Sequence, residues 1–205
     1  MNRLTVALFA TSDANHTAHL SDYVAGANTM LTPYSMALEI YATNPADPSG
    51  ARILPYTGAV FDSAGDPGSV RAQCHQAVPV GRGIPVIFCK RNTDTATSSQ
   101  IELGSTIQTA NTEANNNIGW LPYVLINTQG KSVSNEVLLH EMIHAAYGAN
   151  QPNKPGNPPD KDPASCFYDY GTSAVTTAQS GKPTRTLPAK HADMLRKAYF
   201  SVYLP

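Results

Sequence analysis

Apolar and polar residues alternate along several short stretches of this chain, and elsewhere apolar residues recur every three or four positions. Alternation is typical of strands with one buried face, and a short continuous apolar run is typical of a buried strand, whereas the longer spacing is typical of helices that cover a core with one face. The pattern predicts strands at residues 4–10, 36–41, 52–56, 84–89 and 121–127. It predicts helices at about residues 16–31, 69–78, 134–148 and 188–202.

Polar and turn-forming residues separate these elements. The first strand, helix and second strand are typical of a β-α-β unit, which implies a sheet with a helix on it. Residues 92–117 are rich in Thr, Ser, Asn and Gln and predict a long loop that could hold a short helix or strand. Five prolines in residues 149–163 predict a second loop. We therefore expect one α+β domain over residues 1–205, with a small twisted mixed sheet and a C-terminal helical lobe.

The predicted strand at residues 121–127 comes shortly before the predicted helix at 134–148. A strand in that position could form the edge of a cleft, where an extended chain adds to the sheet as a further strand. The alternative is an ordinary strand in the core.

The helix at residues 134–148 contains His140, Glu141 and His144 in the arrangement HExxH. Residues four apart lie above one another on a helix, so the two imidazoles can bind one metal ion. Glu141 lies beside them, where it can deprotonate a metal-bound water without being a ligand. The remaining positions are mostly apolar, so we expect this helix to be buried all round except on its His/Glu face. A bound metal ion would compensate the lost hydration of these polar groups, and the HExxH motif indicates Zn²⁺.

A catalytic zinc ion needs a third protein ligand and an open position for water. The spacing after His140 offers no nearby histidine, so the third ligand must lie further downstream. The candidates are Asp160, Asp162, Asp169, His191 and Asp193. We favour Asp169, a carboxylate between two tyrosines, and keep His191, on the inward face of the last helix, and Asp162 as alternatives.

The run VLLHEMIHA, the downstream Asp169-Tyr170-Gly171 and the His191-Ala192-Asp193 segment resemble the deuterolysin-like aspzincins. These are zinc endopeptidases whose third ligand is an Asp before a Tyr-Gly pair. The likeness covers about the last 70 residues. In that family the Asp stands three residues before the Tyr, whereas Asp169 stands one residue before Tyr170. The chain also resembles bacterial effector metallopeptidases of zincin type.

The resemblance implies a zincin fold and a zinc-dependent endopeptidase. Zn²⁺ would be held by His140, His144 and Asp169, and Glu141 would activate the zinc-bound water. The resemblance also implies that Tyr170 donates a hydrogen bond to the developing oxyanion, and that the substrate is a polypeptide. Two alternatives stay open, namely a non-catalytic zincin-like binding module and an amidase that acts on small or cell-wall peptides.

Composition narrows the range of partners. The formal net charge is −1 and 14% of the residues are charged, so we expect neither a nucleic-acid partner nor a membrane partner, and we expect a monomer.

The first residues favour a strand over a signal peptide, so secretion would need a route without a cleavable signal in this chain. With three cysteines, Cys74, Cys89 and Cys166, we assign no disulfide.

Overall fold

A seven-stranded mixed sheet forms the centre of the protein. The computed structural model describes residues 1–12, 20–48, 50–54, 67–78, 82–89, 104–110, 120–128, 137–149, 187 and 189–204. The strands are β1 (Asn2–Thr11), β2 (Met36–Tyr41), β3 (Arg52–Leu54), β4 (Ile84–Cys89), β5 (Gly104–Ala110), β6 (Trp120–Asn127) and β7 (Ser201–Tyr203). The described helices are α1 (Leu20–Leu31), α2 (Pro67–Ala77), α3 (Val137–Ala149) and α4 (Ala189–Lys197), and a 3₁₀ turn, Thr32–Tyr34, follows α1.

Strand β1 organises the sheet because four other strands pair with it. The order along the sheet is β2-β1-β4-β6-β5. Strands β2, β3 and β4 run parallel to β1, and β7 runs antiparallel to it. β6 is parallel to β4, while β5 is antiparallel to β6. The sheet is therefore parallel except for β7 and for β5, which ends the strand order.

Helices cover both faces of this sheet. Even-numbered side chains of β1, such as Leu4 and Leu8, belong to the larger core cluster, together with residues of α1, α3 and α4. Odd-numbered side chains, such as Ala7 and Phe9, belong to a second cluster with Cys74 of α2. A strand that is covered on both faces needs apolar residues at consecutive positions. This explains the continuous apolar runs of β1 and β4.

The predicted α+β class is consistent with this mixed α/β architecture and its mixed sheet. All five predicted strands form, with small differences in their bounds. Cys74 and Cys89 are buried and form no disulfide within the described part of the chain, and Cys166 lies outside it. None of the helices in the described part of the chain is long and apolar enough to cross a membrane.

Two predictions of position are wrong. The strand that includes residues 121–127 lies between β4 and β5, so it is interior and not an edge. The C-terminal helix ends at Lys197, and Ser201–Tyr203 form β7. A turn ends that helix, because the backbone N–H of Ser201 donates to the carbonyl of Ala198, and the chain then pairs with the first residues of β1.

Candidate metal centre

Helix α3 carries the HExxH residues and packs under the sheet. It contacts β5 and β6 on one side and α1 and α4 on the other. Its apolar residues are fully buried, which fits their spacing: Val137, Leu138, Leu139, Met142, Ile143, Ala145 and Ala146. Glycine often marks the end of a helix, but α3 includes Gly148 and ends at Ala149.

The His/Glu face of α3 is more buried than we expected. His140 is only 1% exposed and Glu141 only 3%, whereas His144 is half-buried. Polar groups lose hydration when they are buried, so they need hydrogen bonds or a cation as compensation. The expected exposed face is therefore wrong for His140 and Glu141, and only His144 retains partial access to solvent.

The imidazole rings of His140 and His144 meet at their Nε2 atoms. Their Nε2 atoms lie 3.0 Å apart, and the ring centroids are 4.7 Å apart with 67° between the ring planes. Two imidazole nitrogens bound to one tetrahedral Zn²⁺ at the usual bond length would be about 3.3 Å apart. The observed separation is thus within about 0.3 Å of that expected for two ligands of one zinc ion, and without a metal it is also the length of a hydrogen bond between the two rings. The pair fits a metal ion at this position.

Glu141 turns toward the sheet rather than toward solvent. The hydroxyl of Thr106, on β5, lies 2.7 Å from the Glu141 Oε2 atom and 2.8 Å from the Glu141 backbone oxygen. Gly104, two residues earlier on the same strand, lies against the side chain of Glu141. Strand β5 therefore lies directly against Glu141 and fixes the direction of its carboxylate.

Among the candidates for the third ligand, only His191 and Asp193 lie within the described part of the chain. Asp169, Tyr170, Asp160 and Asp162 all lie outside the described residues. Within the described part of the chain, no group of three or more His, Cys, Asp or Glu side chains could hold a metal ion. The structure brings together His140, Glu141 and His144, and the other predicted site residues stay predictions.

The two candidates on α4 differ in their surroundings. His191 is 3% exposed and faces the interior, on a helix that packs against α3. Asp193 has a 62% exposed side chain and forms an ion pair with Arg196. His191 therefore lies on the inward side of α4, as predicted, whereas Asp193 lies on the outer side.

Sequence reasoning missed Thr106 and Gly104. Both lie within residues 92–117, which the polar composition predicted as a long loop. The alternation was present, because Gly104 and Thr106 face α3 while Ile107 packs against the second core cluster on the other face. That weak pattern was the only available signal of a strand.

No protein-family model matches this chain, and a search of the curated proteins found no significant match. Function must therefore be inferred from the side chains of α3 and β5.

Proposed function

We propose that this protein is a zinc-dependent endopeptidase with a zincin-like fold. The observation that carries the proposal is the 3.0 Å approach of the His140 and His144 Nε2 atoms, with Glu141 next to them on the same helix. A mixed sheet packed on the helix that bears these residues supports the zincin-like part of the proposal. An acidic residue at this place suits a hydrolase, because a purely structural zinc site does not need a base.

His140 and His144 would supply two of the zinc ligands. Zn²⁺, when bound, lowers the pKa of a water molecule and polarises the carbonyl of the scissile bond. Glu141 accepts the proton of the attacking water and passes it to the leaving amine. The hydroxyl of Thr106 lies 2.7 Å from Oε2 of this carboxylate.

The burial of these residues favours the same chemistry. A charge that develops in a site with little water interacts more strongly with neighbouring groups than it would in bulk solvent. His140 and Glu141 are almost completely buried, and His144 is half-buried. Asp169 as third ligand and Tyr170 as oxyanion donor belong to the proposal through the aspzincin resemblance.

The test combines metal content with activity. We would measure zinc per chain by elemental mass spectrometry, and cleavage of a denatured protein, for the wild type, Glu141→Gln and His140→Ala. We expect one zinc per chain in the wild type, retained zinc with at least 100-fold lower activity in Glu141→Gln, and loss of both in His140→Ala.

Two matched variants control for general damage. His75→Ala removes a half-buried histidine on α2, whose Nδ1 lies 3.0 Å from the Val78 carbonyl oxygen, and it should keep the zinc. Glu39→Gln removes an exposed carboxylate that pairs with Arg3, and it should keep the activity. Zinc without cleavage of any polypeptide would favour a binding module or an amidase of small peptides. Absence of zinc after loading would reject the metal site.

A further inference from the structure

Strand β5 presents two unusual residues to the HExxH helix. Its register places Gly104 opposite Ile126 and Thr106 opposite Val124 of β6. Ile126 and Val124 belong to the core cluster that includes α3, so this face of β5 also looks toward α3. Gly104 is buried and Thr106 is half-buried. A glycine and a hydroxyl residue thus stand where an ordinary strand would place two large apolar side chains.

Thr106 is close to two oxygen atoms of one residue. Its Oγ1 atom lies 2.7 Å from Glu141 Oε2 and 2.8 Å from the Glu141 backbone oxygen. A hydroxyl carries one hydrogen, so it donates to one of these acceptors at a time. An ionised carboxylate is the stronger acceptor, so the bond to Oε2 would be preferred.

Gly104 makes room for this contact. A Cβ atom at position 104 would lie 2.7 Å from Val137 Cγ1, 2.9 Å from Glu141 Cγ and 3.2 Å from Glu141 Oε1. Non-bonded carbon atoms normally approach to about 3.5–4.0 Å. Any side chain at this position would therefore push Glu141 away from β5.

We propose that Thr106 is a positioning residue, which holds the Glu141 carboxylate in one orientation beside the histidine pair, and that Gly104 provides the space for that orientation. This inference rests on the proposed function, in which Glu141 is the general base. Thr106 acts through Glu141. It acts by keeping a flexible side chain where a proton transfer needs it.

The kinetic test replaces the hydroxyl by a group of the same shape. We expect Thr106→Val in the zinc-loaded protein to lower kcat roughly 10- to 100-fold with little change in KM, since one charge-assisted hydrogen bond is lost. Thr106→Ser keeps the hydroxyl and should restore most of the activity. Ser105→Ala removes a hydroxyl from the adjacent residue of β5 and should leave kcat unchanged.

A second measurement tests the contact without activity. We would determine the urea midpoint of the zinc-loaded wild type, Thr106→Val, Glu141→Ala and the double variant. If Thr106 holds Glu141, the midpoint shift caused by Thr106→Val should be at least halved in the Glu141→Ala background. Equal shifts in the two backgrounds would overturn the inference.

The two measurements separate the inference from the proposed function. A wild type that cleaves nothing would reject the endopeptidase. The urea midpoints of the single and double variants would still decide whether Thr106 holds Glu141. An active wild type with an unchanged or higher kcat in Thr106→Val would overturn the positioning role and leave the endopeptidase intact. A raised KM with unchanged kcat would also overturn it, because a positioning residue acts on the chemical step.

Discussion

At the residue scale, Cys74 shows how the core affects a single ionisable group. Cys74 lies on α2, and its side chain is fully buried in the second core cluster. Burial raises the pKa of Cys74 from 9.0 to about 12, and the charge of Arg52 opposes this increase only partly. The folded protein therefore keeps a proton that the unfolded chain loses at lower pH.

This difference predicts a loss of stability in alkaline solution. Between pH 9 and about 12 the unfolded chain binds fewer protons at this site than the folded protein does. The free energy of unfolding should then fall with rising pH, by up to about 4 kcal/mol in total for this one group. We expect Cys74→Ala to lose less stability over this range than the wild type, as measured by urea unfolding at several pH values.

The control for this prediction is Val78→Ala. Val78 is fully buried in the same core cluster, and its truncation leaves a small cavity without removing a titrating group. It should lower stability by a similar amount at every pH. Burial, and secondarily the charge of Cys74, also raise the pKa of the Tyr199 phenol, so part of the alkaline loss should remain in Cys74→Ala. Identical pH profiles for Cys74→Ala and wild type would contradict the prediction.

At the element scale, the close approach of β5 to α3 depends on Gly104. Alanine is favoured over glycine in most extended backbone because it restricts the unfolded chain. Here, however, the added Cβ would lie 2.7 Å from Val137 Cγ1, and Val137 is a fully buried β-branched residue with little rotamer freedom. We expect Gly104→Ala to lower the free energy of unfolding by about 1–3 kcal/mol, as measured by urea denaturation.

The neighbouring position provides the comparison. Ser105 lies on the same strand, pairs with Leu125 of β6, and its side chain points away from α3. Ser105→Ala should change the free energy of unfolding by no more than about 0.5 kcal/mol. A Gly104→Ala variant as stable as the wild type would show that β5 and α3 can separate without cost.

How well an element could be predicted from the sequence depended on where it lies in the sheet. β1 and β4 are covered on both faces, so their apolar runs were clear. β5 was predicted only as part of a long loop that could hold a short helix or strand, because its face toward α3 carries Gly104 and Thr106 instead of large apolar residues. β7 was assigned to the last helix because Tyr199 and Val202 continue the helical spacing, although Val202 is 44% exposed. Its pairing with β1 depends on contacts distant in sequence, which local patterns do not contain.

At the scale of the whole molecule, the site joins two parts of the chain that are 35 residues apart. The HExxH spacing identified His140, Glu141 and His144, because residues four apart always share a helix face. The sequence could not identify Thr106, since its contact with Glu141 exists only after β5 pairs with β6 and α3 packs on both. A local motif thus predicts the ligands, whereas the residues that orient them depend on the complete sheet.

Zinc binding should stabilise the whole fold if the site is as proposed. A ligand that binds only the folded protein at 100 times its dissociation constant adds about 2.7 kcal/mol of stability. For a chain of this size that corresponds to a rise in Tm of roughly 5–10 °C. We expect this rise in the wild type, its reversal by a chelator, and its absence in His140→Ala.

The same measurement can identify the third ligand. His191 is buried, so His191→Ala will lower Tm whether or not it binds zinc, and the Tm of the apo protein alone is not informative. The informative quantity is the increase in Tm on adding zinc, compared among His191→Ala, Asp169→Ala and Asp162→Ala. We expect Asp169→Ala to lose most of that increase while the other two keep it. Loss in His191→Ala instead would assign the ligand to α4, which packs against α3. An undiminished increase in His140→Ala would place the zinc elsewhere and reject the HExxH site.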